Sequence, residues 1–256
     1  MSSNTVNTFD LTGKVAIVTG SNTGLGAGMA VALAAAGCDI VGVSRADAGP
    51  TAARVEATGR RFADVRADLS SIAPVDDIVR AAVEAFGRVD VLVNNAGIIR
   101  RDDALEFGED DWDAVMDVNL KSLFFLSQAA AHQFVRQGNG GKIINVASML
   151  SFQGGIRVAS YTASKSGVLG LTRLLANEWA ARRINVNAIA PGYMATANTA
   201  ALRDDAQRNE EILGRIPAGR WGEPGDLAGP VVFLASGASD YVHGHTLAVD
   251  GGWLAR

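Results

Sequence analysis

The chain has 256 residues, of which 48% are hydrophobic and 20% are charged, a composition typical of a globular protein. Its net charge of -4 argues against a nucleic-acid partner, and the single cysteine, Cys38, excludes an intramolecular disulfide. The first residues lack the pattern of a signal peptide, and no apolar run reaches the roughly 18 residues of a membrane span, so we expect a cytoplasmic protein with no membrane partner.

Short runs rich in β-branched residues alternate with Ala-rich amphipathic stretches through the chain. The runs predict strands at 14–19, 39–44, 61–67, 89–94, 142–147, 184–189 and 246–250. The stretches between them predict helices at 25–36, 75–86, 112–137, 161–181 and 226–235. Several strands are apolar on both faces, as in a parallel sheet covered by helices. We therefore predict one α/β domain over residues 1–256, a doubly wound parallel sheet of about seven strands with helices on both faces.

A glycine-rich turn, TGSNTGLGAG, follows the first predicted strand. Glycine lets the backbone turn tightly and approach a pyrophosphate bound at the N-terminus of the next helix. Between a strand and an Ala-rich helix, this turn predicts a dinucleotide site, with a purely structural turn as the alternative. The predicted cofactor contacts in it are Gly20, Asn22, Gly24, Leu25 and Gly26.

The end of the second predicted strand bears on the choice between NAD and NADP. An acid there binds the ribose 2′-hydroxyl of NAD, whereas a base accommodates the 2′-phosphate of NADP. Ser44 and Arg45 stand at this position, while Asp39 lies too early, at the start of the strand. Arg45 therefore permits NADP(H), with a merely solvated arginine as the alternative.

Tyr161 and Lys165 are four residues apart, so they share one face of a helix. A free phenol has a pKa of about 10, and a neighbouring cation favours the phenolate, so we predict that Lys165 lowers the pKa of Tyr161. Such a tyrosine can exchange a proton with an alcohol while a nicotinamide exchanges the hydride. Ser148 ends the fifth strand, where its hydroxyl can stabilise charge on the substrate oxygen. Asn119 interrupts an apolar helical run, where it either caps a bend or orders water near Lys165.

Together these motifs resemble the short-chain dehydrogenase/reductase family. TGSNTGLG, NNAG at 94–97, the Asn119 segment, Ser148, YTASK and PG at 191–192 occur in the family's order over essentially the whole chain. The resemblance implies a Rossmann-like fold and a homotetramer, with Tyr161 as general acid/base and Lys165 on the nicotinamide ribose. It also implies that Ser148 positions the reacting oxygen and that Asn119 holds a water. The further cofactor contacts that it implies are Asp68, Leu69, Asn95, Ala96, Gly97, Pro191, Gly192 and Thr196.

Longer stretches, including 94–107, 137–168 and the terminal VDGGWLAR, resemble family members that act on sugar acids. This resemblance implies NAD(H) as the main cofactor and a deoxy-keto sugar acid as the substrate. A guanidinium binds a carboxylate bidentately, so we predict that Arg157 or Arg100 holds the substrate carboxylate and that Gln153 contacts a hydroxyl. Surface salt bridges are the alternative for both arginines. No metal site is expected, because the histidines lack ligand spacing.

The polar, partly helical segment 193–222 follows the sixth predicted strand and interrupts the alternation. Ligands of such sheets bind beyond the carboxyl ends of the strands, so the segment is predicted to be a lid over the substrate, or else a surface excursion. Three other functions remain open: a gluconate 5-dehydrogenase, a reductase of 3-oxoacyl groups on a carrier protein, and a non-catalytic dinucleotide sensor.

Overall fold

The computed structural model describes residues 8–256; residues 1–7, where the predicted absence of a signal peptide applies, lie outside the described residues. Seven strands form one sheet: β1 Val15–Thr19, β2 Asp39–Ser44, β3 Phe62–Arg66, β4 Val91–Asn94, β5 Gly141–Val146, β6 Ile184–Pro191 and β7 Thr246–Val249. All neighbouring strands are parallel, in the order β3-β2-β1-β4-β5-β6-β7. The predicted doubly wound sheet is confirmed.

The helices cover both faces of this sheet. They are α1 Gly24–Ala35, α2 Gly49–Glu56, α3 Val75–Phe86, α4 Glu109–Met116, α5 Ser122–Gln137, α6 Ala159–Trp179, α7 Ala200–Asp204, α8 Ala206–Arg215 and α9 Ala228–Ala235. A π-helical turn, Asp117–Lys121, joins α4 to α5. The sequence did not predict α2, because its Gly-Pro start is typical of a turn; proline is nevertheless tolerated in the first turn of a helix.

The core consists of two apolar layers, one on each face of the sheet. Alternate residues of β1 point to opposite faces: Ala16 and Val18 pack in the layer with α1 and α9, and Ile17 packs in the layer with α3, α5 and α6. Every residue of β1, β2, β4 and β6 is buried. This two-sided burial explains why the central strands are continuous apolar runs in the sequence.

The strand order reverses between β1 and β4, and a crevice opens beyond their carboxyl ends, where such sheets bind ligands. Thr19 joins the two turns that border this crevice. Its Oγ1 accepts hydrogen bonds from the backbone N–H groups of Asn95 and Ala96, at 3.0 and 2.9 Å. The glycine-rich turn after β1 and the NNAG turn after β4 therefore lie side by side.

The segment 193–222 contains α7, α8 and a short 3-10 turn, and an isolated bridge pairs Met194 with Gly222 at its two ends. Its ends therefore meet, and side chains of the part between them, including Ile212 and Ile216, pack against Met149 and Trp253. Within residues 8–256, no helix is both long and apolar enough to cross a membrane.

Candidate active site

A cavity of about 470 Å³ lies in the crevice between the β1 and β4 turns. Its walls come from the ends of β1, β2, β3 and β4, which the parallel order brings to one edge of the sheet. The structure thereby brings together eight of the predicted cofactor residues: Gly20, Asn22, Ser44, Arg45, Asp68, Leu69, Ala96 and Gly97.

The backbone of the glycine-rich turn forms a tight cradle, in which side chains on the glycines would collide with the neighbouring backbone. Gly20 has a φ of 65°, and a Cβ on Gly26 would lie 2.1 Å from the carbonyl oxygen of Gly20. Helix α1 begins at Gly24, and the side chain of Thr23, its N-cap, forms no capping hydrogen bond. The first N–H groups of α1 are thus available to an anion, so these residues fit the pyrophosphate of a dinucleotide.

Arg45 lines the cavity as an exposed cation at the end of β2. Within the described residues it takes part in no ion pair, whereas the nearby Asp47 pairs with Arg66 at 2.8 Å. The Asp68 carboxyl accepts the Ser70 N–H, which lowers the pKa of Asp68, and the charge of Arg45 lowers it further. A cationic group therefore faces this corner of the cavity, near the Asp68 carboxylate but in no ion pair among residues 8–256.

Tyr161 lies in the first turn of α6, next to the hydroxyl of Ser148. Burial raises the pKa of Tyr161 above its ordinary value, while the hydrogen bond with Ser148 and the charge of Arg101 oppose that rise. Ser148 is itself fixed, because its Oγ accepts the N–H of Leu150 at 3.1 Å and so caps the short turn Met149–Ser151. The two hydroxyls expected to contact the reacting oxygen are therefore adjacent.

Lys165 shares a helix face with Tyr161, as predicted, but its effect on the tyrosine differs from the prediction. Its Nζ lies 5.7 Å from the centroid of the Tyr161 ring and donates to the carbonyl of Val146 at 2.6 Å. Burial lowers the pKa of Lys165 to about 8. The predicted lowering of the Tyr161 pKa by Lys165 is wrong: burial raises this pKa, and the effects that oppose the rise come from Ser148 and Arg101.

Asn119 lies buried in the π-helical turn between α4 and α5. Its amide accepts the N–H of Ile98 at 2.8 Å and donates to the carbonyl of Ile98 at 2.9 Å. A Cβ on Gly97 would lie 3.2 Å from Asn119 Oδ1 and 3.7 Å from Lys165 Nζ. Asn119, Lys165 and the NNAG turn therefore meet at one point, and π-helical turns are frequent at functional sites.

Four other predicted cofactor residues are not among those that line the cavity: Asn95, Pro191, Gly192 and Thr196. The Asn95 amide donates to the carbonyl of Thr19 at 2.8 Å, so this side chain holds the turns together. Pro191 ends β6, and the N–H of Gly192 bonds the carbonyl of Val249 at 3.0 Å. The Cγ2 of Thr196 would lie 3.7 Å from a Cβ on Gly24, which places the start of segment 193–222 against the glycine-rich turn.

The predicted substrate residues are not gathered at one point. Arg100 pairs with Asp111 at 3.0 Å, and Gln153 Oε1 accepts a hydrogen bond from Arg215 at 3.3 Å. Arg157 is exposed with a φ of 62°, and its carbonyl accepts the N–H of Asp102 at 3.1 Å.

Arg101 has a role in the structure that the sequence did not predict. Its charge reaches the Tyr161 hydroxyl, and it donates to the carbonyl of Asn198 at 3.3 Å. No sequence pattern separates it from its neighbour Arg100. Among residues 8–256, no group of His, Cys, Asp or Glu side chains has the arrangement needed to hold a metal ion.

Comparison with known proteins agrees with this geometry. The family model described as enoyl-(acyl carrier protein) reductase, adh_short_C2, matches residues 20–254. The 2-dehydro-3-deoxy-D-gluconate 5-dehydrogenase of Dickeya dadantii is 67% identical over 251 residues, covering 98% of this chain and 99% of the relative.

Two solved structures share the fold over nearly their whole length. A protein from Agrobacterium tumefaciens with bound NADP is 57% identical with a TM-score of 0.93, covering 98% of this chain and 100% of that one. A gluconate 5-dehydrogenase from Burkholderia cenocepacia in complex with NADP and tartrate is 40% identical with a TM-score of 0.92, covering 97% and 98%. With the cavity, the glycine cradle and the Ser-Tyr-Lys arrangement already described, these matches place the chain in the short-chain dehydrogenase/reductase family.

Proposed function

We propose that the protein is an NAD(P)-dependent dehydrogenase that acts on the secondary alcohol or ketone of a deoxy-keto sugar acid, as 2-dehydro-3-deoxy-D-gluconate 5-dehydrogenase does. The observation that carries this proposal is the meeting of Ser148, Tyr161 and Lys165 beside the dinucleotide-sized cavity. The 67% identity with the Dickeya enzyme supports the choice of substrate class.

The proposed roles follow from the positions of the side chains. The nicotinamide, when bound, exchanges a hydride with the substrate carbon. Tyr161 takes the proton of the alcohol during oxidation and returns it during reduction, while the Ser148 hydroxyl donates a hydrogen bond to the same oxygen. The Lys165 ammonium stabilises the phenolate when it forms and binds the ribose hydroxyls. Asn119 orders the water through which the proton reaches solvent.

We assign the substrate carboxylate to Arg101 in preference to Arg100. Arg101 is the cation whose charge reaches Tyr161, and its guanidinium contacts segment 193–222 at Asn198. Arg100 already has a carboxylate partner in Asp111. Arg157 has no side-chain partner within the described residues and stays a second candidate for the carboxylate.

For the cofactor, we propose that Arg45 accepts the 2′-phosphate of NADP(H), and that NAD(H) binds at the same site without that contact. We propose further that residues 1–256 form one domain with segment 193–222 as the substrate lid. Following the family resemblance, the active form would be a cytoplasmic homotetramer that serves the breakdown of pectin-derived uronates.

A spectrophotometric screen of NADH and NADPH tests the proposal. The panel contains keto sugar acids with and without the 3-deoxy group, 5-ketogluconate, neutral ketones and a 3-oxoacyl thioester. We expect turnover with the deoxy-keto sugar acids. Turnover confined to 5-ketogluconate would favour the gluconate 5-dehydrogenase alternative, and turnover confined to neutral ketones or thioesters would refute the sugar-acid assignment.

Tyr161→Phe separates an enzyme from a dinucleotide sensor, with Tyr241→Phe as the matched control because Tyr241 is fully exposed. Loss of a general acid/base lowers turnover by about 10²- to 10⁴-fold. We expect that loss for Tyr161→Phe with dinucleotide affinity retained, and wild-type turnover for Tyr241→Phe. Substantial turnover by Tyr161→Phe would rule out the tyrosine mechanism.

A further inference from the structure

Arg215, the last residue of α8, lies between two segments that are distant in the sequence. Its guanidinium carbon is 4.0 Å from the centroid of the Trp253 ring, and its Nη2 donates to Gln153 Oε1 at 3.3 Å. Trp253 is 5% exposed, and its ring meets that of Tyr193 edge-on at 4.7 Å. The arginine is therefore held by a fixed aromatic surface while its polar end reaches the loop that follows Ser148.

The C-terminal turn holds α8 in this position. The N–H of Ala218 donates to the carbonyl of Gly251 at 2.9 Å, and Arg256 donates to the carbonyl of Gly214 at 2.6 Å. One apolar cluster contains side chains from all three segments: Met149 and Leu150 after Ser148, Ile212 and Ile216 from the lid, and Trp253 and Leu254 from the C-terminal turn. The C-terminal turn, α8 and the loop that follows Ser148 therefore pack against one another.

The chemistry of the Arg215–Gln153 contact fixes the direction of the glutamine amide. A guanidinium has five N–H donors and no acceptor, so Gln153 must present its oxygen to Arg215. The Gln153 amide nitrogen is then the opposite end of the group, and within residues 8–256 it donates to no protein atom. Its two N–H donors are free for an acceptor on a ligand.

We propose that Arg215 is a positioning residue for the substrate: supported by Trp253, it orients the amide of Gln153 so that the Nε2 hydrogens donate to an oxygen of the sugar acid. This inference rests on the proposed function. It gives the C-terminal turn, through Trp253, a part in substrate selection. It gives Gln153 a defined role, that of a donor to a carboxylate or carbonyl oxygen.

Steady-state kinetics with the deoxy-keto sugar acid test this role in Arg215→Met, Arg215→Lys, Gln153→Ala and the double variant Arg215→Met/Gln153→Ala. Arg208→Met is the matched control, because Arg208 lies on the same helix and pairs only with Glu211 among the described side chains. One lost hydrogen bond is worth about a fivefold change in KM. We expect about that rise in KM for the sugar acid in Arg215→Met and in Gln153→Ala, with kcat and the KM of the cofactor within about twofold of wild type.

The combination of variants separates positioning from direct binding. If Arg215 acts through Gln153, the double variant has the KM of Gln153→Ala alone, and Arg215→Lys, which keeps a donor, recovers most of the wild-type KM. Independent, multiplying effects would show that Arg215 contacts the substrate itself and would overturn the proposal. So would an unchanged KM in folded Arg215→Met.

Folding and the proposed function are checked separately. Each variant is accepted only with a wild-type circular dichroism spectrum. If Arg215→Met fails to fold, Arg215→Gln and the double variant Arg215→Gln/Gln153→Ala take the place of the two methionine variants, with the same expected results. Wild-type enzyme without turnover on any sugar acid would refute the proposed function. Wild-type turnover together with insensitive variants would refute only the role of Arg215.

Discussion

At the scale of single residues, Lys165 combines a cost in stability with a gain in function. It is 4% exposed, and burial lowers its pKa to about 8, from 10.5 for a free lysine side chain. Below about pH 8 the folded protein buries the Lys165 ammonium, whereas water hydrates it in the unfolded chain. Burial of the charge therefore lowers the free energy of unfolding by about 3 kcal/mol. We therefore expect Lys165→Met to raise the free energy of unfolding at pH 7 by up to about that amount, while turnover is lost.

The stability penalty of burying the Lys165 charge depends on pH. Between about pH 8 and pH 10.5 the unfolded chain binds more protons than the folded protein, so the wild-type penalty fades as the pH rises through this window. Urea titrations at pH 7 and pH 10 measure the gap between wild type and Lys165→Met, with the exposed Lys121→Met as control. A gap that stays constant or widens at high pH would contradict the buried-cation argument.

Arg45 bears on the preference between NADPH and NADH. A 2′-phosphate needs a cation at the end of β2, and Arg45 lines the cavity there without an ion-pair partner among the described residues. We expect Arg45→Asp to raise the KM for NADPH at least about tenfold, because an unpaired acid repels the phosphate, and to leave the KM for NADH within about threefold. Arg182→Asp is the control, because Arg182 is exposed in the turn before β6, at the opposite end of the sheet. Equal changes in the KM for NADPH and the KM for NADH would show that a residue other than Arg45 binds the 2′-phosphate.

Single residues also mark the limit of what the sequence predicts. The Tyr161–Lys165 spacing places both side chains on one helix face, and Ser148 follows from the end of a strand. Arg101 and Arg215 could not be assigned in this way. Their contacts join segments about 60 to 100 positions apart in the chain, and those contacts depend on how the lid packs rather than on local spacing.

At the scale of elements, the π-helical turn Asp117–Lys121 joins α4 to α5 and carries Asn119 at the candidate active site. The Asn119 amide makes two hydrogen bonds with Ile98, and leaving buried backbone groups unpaired costs about 1–3 kcal/mol. We expect Asn119→Ala to lower both kcat and the unfolding midpoint, and Asn139→Ala, in the exposed loop after α5, to change neither. A loss of kcat without a loss of stability would point to the bound water alone.

The strands were predicted to within two residues at each end. Helix α2 was not predicted, and the segment 193–222 was predicted only as partly helical, without bounds for α7 and α8. Central strands are apolar on both faces, so packing and sequence pattern agree there. Helix α2 buries only Thr51 and Val55, and α8 buries only Ile212. Helices with so few buried positions give a weak periodic signal, and their existence depends on neighbours that the sequence does not show.

At the scale of the whole molecule, one end of the sheet carries the candidate active site and the other end carries buried ion pairs. The cavity and the Ser148–Tyr161 pair lie beyond the carboxyl ends of the strands. At the amino ends lie buried carboxylates bound by arginines: Asp39 bonds Arg60 at 2.9 Å and also Arg61, and Asp90 bonds Arg88 at 2.6 Å. Substitutions at the amino ends should therefore change stability without changing kinetics.

Asp39 tests this separation. Burial alone would raise its pKa, but hydrogen bonds from Arg61 and Arg60 outweigh that effect and hold the pKa below the ordinary value. Its contribution to stability is therefore fully present above about pH 4, the ordinary pKa of the unfolded side chain, and is lost as the pH falls through the lowered value. We expect Asp39→Asn to lower the free energy of unfolding at neutral pH by about 1–3 kcal/mol, with the difference from wild type shrinking in acid.

Asp47→Asn is the control for Asp39→Asn. Asp47 is an exposed acid at the carboxyl end of the sheet, paired with Arg66. Because a surface pair contributes little, Asp47→Asn should leave stability within about 0.5 kcal/mol of wild type. Thermal melts from pH 3 to 8 measure stability, and KM and kcat with both cofactors measure function. A kinetic defect in Asp39→Asn at a temperature where it is fully folded would show that the two ends of the sheet are coupled through β2, whose other end carries Ser44 and Arg45.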